Sequence, residues 1–513
     1  MFAELCLAVL LVSGGPAIDG VYPDPATGED RGEFVVVAVP DRENVTYALT
    51  DGEDRIELPS LPAGERVVVT ADDGPASRLV DTRIHEIERF LSLSNAGEWV
   101  ALEAGNETVA NVSYPASSEG ELYRDGRFVP PGRTAFEPTA RENVSVRAAL
   151  LPDTPEPIRE TIRSAEERIL LAGYTFSDPA IADALIAARD RNVSVQVLVD
   201  GAPVGGMERP QVRQLDRLRE AGVRVAAVGT EHARYRYHHA KYAVVDDRAV
   251  VTSENWEPGS TGGNGSRGWV ATIDDPRIAH DLARIFEADL GYVDTRNWTA
   301  ARPEETVDGD LATADFPRRF DPRRTRAATV TVLSAPDNAE RAVCRLLANA
   351  SDSIRVQQVS IDPAGKPFNR TLAAARRGVE VDVLLSGAWY VEEENRALAA
   401  RLRNVSDRED LDLQVALAEP RSRYDHVHTK GLLVDGEYTL VGSLNWNPTA
   451  MRENREVALL IQDESVARYF QRAFRADWRG AAWRLSWGTL AGAVIVLAIG
   501  VLLAARMLDF EGY

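Results

Sequence analysis

The rhythm of apolar and polar residues changes near residue 150. Across 20–148, short β-branched runs such as Glu33-Phe-Val-Val-Val-Ala-Val39 and Glu65-Arg-Val-Val-Val-Thr70 are separated by Gly, Pro and Asp, which predicts strands joined by turns. The segment Gly32-Glu33-Phe34-Val35 returns as Gly97-Glu98-Trp99-Val100, so two small all-β modules are expected, 20–77 and 78–148. From 150 onward helical and strand patterns alternate. A helix is predicted from Ile158 to Arg168, a strand from Ile169 to Tyr174, a helix from Pro179 to Arg191 opened by Ser177-Asp178, and a strand from Val193 to Val199. A helix follows from Gln211 to Ala221, stopped by Gly222, and a strand from Val223 to Val228. Such alternation implies an α/β domain whose sheet is covered on both faces.

This order is then repeated. His239-Ala-Lys241-Tyr-Ala-Val-Val-Asp246, followed by Thr252-Ser253-Glu254-Asn255-Trp256, returns as His428-Thr-Lys430-Gly-Leu-Leu-Val-Asp435, followed by Gly442-Ser443-Leu444-Asn445-Trp446. Arg234-Tyr235 matches Arg423-Tyr424 at the same separation, and Val193-Ser-Val-Gln-Val-Leu-Val resembles Val379-Glu-Val-Asp-Val-Leu-Leu. A whole domain half is duplicated, with halves at 150–296 and 327–480 and a polar linker at 297–326 rich in Asp, Glu, Pro and Arg. Side chains alternate along a strand, so in each copy the His and Lys share a face while the Asp points the other way. An imidazole, an ammonium, a hydroxyl and an amide converging on one spot make a pocket for a phosphate, with the imidazole as a nucleophile.

Composition sharpens this. The chain has three lysines, Lys241, Lys366 and Lys430, against fifty-five arginines, and two of the three stand in the repeated motif. A compact ammonium is used where Arg serves everywhere else. Five of seven histidines, His232, His238, His239, His426 and His428, lie in or just before the motifs.

H-x-K-x4-D followed by S-x-N, twice in register over roughly 150–480, resembles the phospholipase D superfamily of phosphodiesterases. The resemblance implies a duplicated α/β/α sandwich with pseudo-twofold symmetry and both motifs facing one site. One imidazole attacks phosphorus, the other acts as acid and base, and no metal or other cofactor is needed. The catalytic set it implies is His239, Lys241, Asp246, His428, Lys430, Asp435 and Glu456. Ser253, Asn255, Ser443 and Asn445 would bind phosphate. From their strand face, Asp246 and Asp435 are given a supporting role. Glu456 is expected to orient His428, and Trp269 stands at the matching place beside His239. His428 is therefore expected to be the nucleophile and His239 its acid–base partner. The missing first-half acid leaves a non-catalytic surface binding protein as a reading of another class.

The remaining expectations concern surroundings. The net charge of −21 suits a high-salt environment and argues against an extended basic nucleic-acid groove. An apolar leader at 1–17 resembles a signal peptide, and 485–505 is uncharged over twenty-one residues, enough to span a bilayer core of about 30 Å as one transmembrane helix, with a short tail at 506–513. Ten of seventeen asparagines begin N-x-S/T, which favours an exported domain over the inward orientation suggested by Arg479 and Arg484. The β modules resemble lamin-tail-type sandwiches and serve either as adhesive spacers or as a solvated cap. Gly259–Gly265 is either a substrate loop or an idle turn. With both motifs in one chain a monomer is expected. The substrate reads as a phospholipid, with extracellular DNA or RNA cleavage as the alternative.

Overall fold

The computed structural model describes residues 15–482 except 26–31, 41–44, 81, 118, 132, 230–232 and 310. The leader through residue 14, Asn44, His232, the apolar stretch 485–505 and the tail lie outside the described residues. Among the described residues no helix is long and apolar enough to cross a membrane.

The N-terminal strands form one sandwich. A six-stranded sheet holds Ala17–Tyr22, Phe34–Ala38, Arg66–Thr70 and Arg83–Glu86, and a four-stranded sheet holds Tyr47–Thr50, Glu98–Ala104 and Glu107–Tyr114. Val35, Val37, Val67 and Val69 of the first pack with Leu49, Val100 and Leu102 of the second in a single core. Arg66–Thr70 pairs with Arg83–Glu86, and Tyr47–Thr50 pairs with Glu98–Ala104. The two modules expected from the sequence are thus interleaved, because three or four strands alone have no second layer against which to bury their apolar face.

The rest is a single fifteen-stranded sheet. Its middle is the antiparallel pair Thr139–Leu151 and Arg323–Ala335, in register from Thr139↔Val332 to Ala148↔Arg323. Outward from each runs the same series of six strands: Gly268–Asp274, Arg248–Thr252, Tyr242–Val245, Arg168–Gly173, Ser194–Asp200 and Arg224–Val228 on one side, where the antiparallel strand Thr295–Asn297 adds the edge. Glu456–Gln462, Tyr438–Gly442, Gly431–Val434, Ser353–Gln358, Glu380–Leu385 and Leu413–Leu417 mirror them. The first half therefore begins at Thr139 rather than 150, and the second at Arg323 rather than 327. One face is covered by Pro276–Leu290 and Glu464–Ala482 through a core shared by both halves, which includes Trp269, Phe286, Phe470 and Phe474. The other face is covered separately in each half.

Gly259–Gly265 is a packed turn. Gly263 has φ +82°, and a Cβ there would lie 2.9 Å from Pro155. The second half builds the helix Pro448–Arg452 at this place.

Candidate active site

Each H-x-K segment lies along the other half, not its own. The His239 N–H donates to Arg455 O (2.9 Å) and the Arg455 N–H to Tyr237 O (2.9 Å). In mirror image, His428 N–H donates to Arg267 O (3.0 Å) and Arg267 N–H to His426 O (2.8 Å). Both arginine side chains are fully buried and each is held by two carboxylates. Arg267 lies 2.5 Å from Asp153 and 3.1 Å from Asp477, and Arg455 lies 2.9 Å from both Asp289 and Asp337. Two buried charge clusters thus fix the backbone on which the histidines sit.

This cross-pairing decides which acid meets which imidazole. His239 Nδ1 is 2.9 Å from both carboxylate oxygens of Glu456. His428 Nδ1 is 3.3 Å from Glu254 Oε2. The expectation that Glu456 orients His428 is therefore corrected: Glu456 follows Arg455 in the chain, and Arg455 is the residue against which His239 docks. The first half does carry an acid, Glu254, between Ser253 and Asn255. The sheet register also moves the alignment by one residue. Ser253 N–H donates to Trp269 O and Ser443 N–H to Val457 O, so Trp269 corresponds to Val457 and Gly268 to Glu456.

Lys241 and Lys430 are buried beneath the imidazoles. Lys241 Nζ donates to His239 O (2.7 Å) and lies 5.3 Å from the ring centroid of Tyr174, which also contacts the His239 ring edge-on at 4.8 Å. Lys430 Nζ donates to His428 O (2.8 Å) and to Ser253 O (3.3 Å), and lies 3.0 Å from His428 Nε2. Burial pushes the Lys430 ammonium down to about 8, and burial with Lys430 as neighbour lowers Lys241 well below its ordinary value. Burial likewise lowers both imidazoles, with the two ammonium groups adding to it and the carboxylates opposing. Burial works against ionisation of Glu254 and Glu456, yet the adjoining His and Lys keep both below the usual carboxylate range. Each imidazole has Nδ1 engaged by a carboxylate, so that Nε2 is the reactive nitrogen.

The other expected residues divide. Ser253 and Ser443 are fully buried and turned into the scaffold: Ser253 Oγ donates to Glu254 (2.9 Å) and accepts from Trp269 N–H (3.1 Å), and Ser443 Oγ accepts from Val457 N–H (3.1 Å). In this state they support carboxylate and strand rather than present a free hydroxyl. Asn255 and Asn445 are half-buried at the same strand ends. Asp246 and Asp435 are away from the imidazoles. Asp246 accepts from the N–H groups of Glu166, Glu167 and Arg168, and Asp435 from those of Ser351, Asp352 and Ser353. Each pins the start of the neighbouring strand, so neither belongs in the catalytic set. Sequence reasoning missed Glu254, Asp153, Asp289, Asp337 and Asp477. The signal for Glu254 was an acid inside the S-x-N element where the other copy has Leu444.

Comparison with known proteins agrees with this geometry. The sequence matches the family described as cardiolipin synthase, PLD-like domain, over residues 158–290 and 343–478. Cardiolipin synthase B of Salmonella typhi is 25% identical over 341 residues, 63% of this chain and 76% of that protein. The mitochondrial cardiolipin hydrolase of Danio rerio is 29% identical over 106 residues, 21% of this chain and 42% of that protein. Phosphatidylserine synthase of Haemophilus influenzae Rd KW20 shares the fold, with a TM-score of 0.51 at 14% identity over 66% of this chain and 86% of that one. The family match spans more than half of the chain. With two repeated domains, two paired histidines and two buried lysines in one polypeptide, the chain belongs to the phospholipase D-like family and is an enzyme of that superfamily.

Proposed function

We propose that this enzyme is an exported, membrane-anchored phosphodiesterase that cleaves phospholipids through a covalent phosphohistidine. The observation that carries the reading is the pair of imidazoles, each with a carboxylate on Nδ1, above Lys241 and Lys430. The Nε2 lone pair of one histidine forms the P–N bond while the P–O bond to the leaving group breaks. The second histidine, as an imidazolium with its Nδ1–H on the carboxylate, gives its Nε2 proton to the leaving oxygen; as the neutral ring it then takes a proton from the water that attacks phosphorus and breaks the P–N bond. The lysines offset charge on the non-bridging oxygens. A carboxylate that fixes the tautomer, the ground for expecting His428 as the nucleophile, favours His239. Its Nδ1 is held by both oxygens of Glu456, whereas His428 Nε2 already faces Lys430 Nζ at 3.0 Å.

Two features support a lipid. Trp389 is 88% exposed and Tyr390 leads from it through His426 to His428 by successive ring contacts of 5.8, 6.1 and 6.3 Å. On the other side Val204 is 73% exposed and its N–H donates to Tyr174, which touches His239. Apolar groups exposed on both sides of the site, on a chain of net charge −21, suit acyl chains better than a polyphosphate backbone. The relatives named for cardiolipin point the same way. The sequons, leader and apolar stretch support outward orientation, with the lamin-tail-like sandwich as a spacer.

The deciding assay presents phosphatidyl lipid in mixed micelles and single-stranded DNA to the full chain in high salt. Headgroup release is expected and should survive chelation. DNA cleavage without lipid cleavage would instead make it a nuclease, and loss of activity in EDTA restored by a divalent ion would replace the lysine-based mechanism. Alkaline quench followed by mass spectrometry is expected to find phosphate on His239. For orientation, protease added to intact cells is expected to remove the domain, and full protection would reverse the topology.

A further inference from the structure

In the second half the carboxylate beside the histidine comes from Glu456, at the start of the strand Glu456–Gln462. The same position in the first half is Gly268, at the start of Gly268–Asp274, as both the central strand pairings (Leu151↔Gly268, Ala335↔Glu456) and the serine hydrogen bonds require. Conversely, Glu254 of the first half corresponds to Leu444, which is buried in an apolar core. These two differences meet in space. A Cβ built on Gly268 would lie 2.1 Å from Cγ of Glu254 and 2.4 Å from both its Cδ and Oε1. The Glu254 side chain therefore occupies the room in which a side chain at 268 would begin.

We infer that Glu254 and Gly268 are the two sides of one exchange: the acid has moved to the adjacent strand, Gly268 leaves the space for it, and Glu254 is the positioning residue for His428. The inference rests on the reading of His239 and His428 as the reacting pair, and adds which group sets the tautomer of the second. Glu254 is fully buried, and its contacts are those of a fixed acid rather than a filler. One oxygen accepts from Ser253 Oγ (2.9 Å), and the other accepts from Ser266 Oγ and faces His428 Nδ1 at 3.3 Å. A leucine-sized apolar group suffices at this place in the other half, so packing alone does not call for a carboxylate. Held in this way, His428 keeps its proton on Nδ1 in the neutral ring and directs Nε2 at the phosphate, the requirement for an acid–base partner. The two halves thus reach the same imidazole–carboxylate pairing from different strands.

The test rebuilds one half in the image of the other, in the full chain. Glu254→Gln keeps the shape and removes the charge, and is expected to lower kcat/KM on bis(4-nitrophenyl) phosphate by about 10²-fold or more, with a changed pH profile. Glu254→Leu should lose at least as much. Adding Gly268→Glu to Glu254→Leu copies the second half and is expected to recover at least about tenfold over the single variant, with the wild-type pH profile. Gly268→Glu alone places two side chains in one space and should destabilise. Histidine-selective 15N NMR reads the His428 tautomer without needing turnover, with His428→Asn to assign the signal. Neutral wild-type His428 should be protonated on Nδ1, the preference should be lost in Glu254→Gln, and it should return in the double variant. Wild-type activity and tautomer in Glu254→Gln would overturn the exchange, as would a folded double variant without recovery of either. A chain with the expected His428 tautomers but no phosphodiesterase activity would overturn the catalytic reading and leave the exchange standing.

Discussion

The two halves of the catalytic region share their charged scaffold and differ in their side-chain volumes. Arg267 with Asp153 and Asp477 has its counterpart in Arg455 with Asp337 and Asp289, and Asp246 caps its strand start as Asp435 does. Against that constancy, residues change in compensating pairs. Glu254 with Gly268 stands where the other half has Leu444 with Glu456. Trp269 lies over Gly431, whose added Cβ would be 2.5 Å from the indole, and the corresponding pair is Val457 and Tyr242 in the same core. Buried ionic groups resist piecemeal change because a lone survivor is left unpaired at a cost of several kcal/mol. Apolar volume is easier to redistribute when its sum is kept.

The comparison can be broken most sharply at the histidines. His239→Asn is expected to abolish turnover, by on the order of 10⁴-fold or more, and to prevent any covalent intermediate. His428→Asn should still accumulate phosphohistidine on a diester with a good leaving group such as 4-nitrophenolate. Mass spectrometry that finds the phosphate on His428, formed in His239→Asn, would exchange the roles. Next come the buried arginines. Arg267→Met and Arg455→Met should each cost about 3–5 kcal/mol, and nearly equally, by thermal or denaturant unfolding. A large inequality would mean that the two clusters are not equivalent.

A pH profile separates the lysines. Lys430 titrates at about 8 because burial opposes its charge, so it is cationic below that value and neutral above it. The kcat/KM for a diester is therefore expected to fall by about tenfold per unit above pH 8, with no such limb in Lys430→Arg, whatever its residual rate. The smallest effects belong to the strand-start aspartates. Asp246→Ala and Asp435→Ala should each lose about 1–2 kcal/mol of stability while kcat stays within about threefold. A collapse of kcat without unfolding would return them to the catalytic group.

How much of this was legible in the sequence follows from which signals are local. The strand–helix alternation, the duplication and the four motif residues His239, Lys241, His428 and Lys430 are periodic or repeated, and could be read directly. The partner of each histidine is set by a contact between halves that are 217 and 174 residues apart in sequence. A linear alignment of the copies pairs each motif with its own half's acid, and so sets Glu456 beside His428. The one-residue offset between Trp269 and Glu456 could be resolved only by the ladder hydrogen bonds. Likewise Asp153, Asp289, Asp337 and Asp477 are four among seventy-nine acidic residues, and nothing in spacing sets them apart from the solvated ones. The N-terminal strands were visible as strands, but strand order in a sandwich depends on pairings that short runs do not encode.

The central pair of strands, Thr139–Leu151 against Arg323–Ala335, welds the two copies into one polypeptide sheet. If identical subunits met at that seam, every substitution would be made twice, and an acid moved between strands would move on both sides at once. Covalent linkage removes that constraint and lets each copy drift under its own selection, provided the shared centre stays assembled. The relocated carboxylate is the kind of change that such a fused ancestor permits. The copies nevertheless stay interchangeable in this respect: a chain with two first halves would give each histidine a Glu254-type acid, and one with two second halves a Glu456-type acid, so each symmetric chain keeps both imidazole–carboxylate pairs.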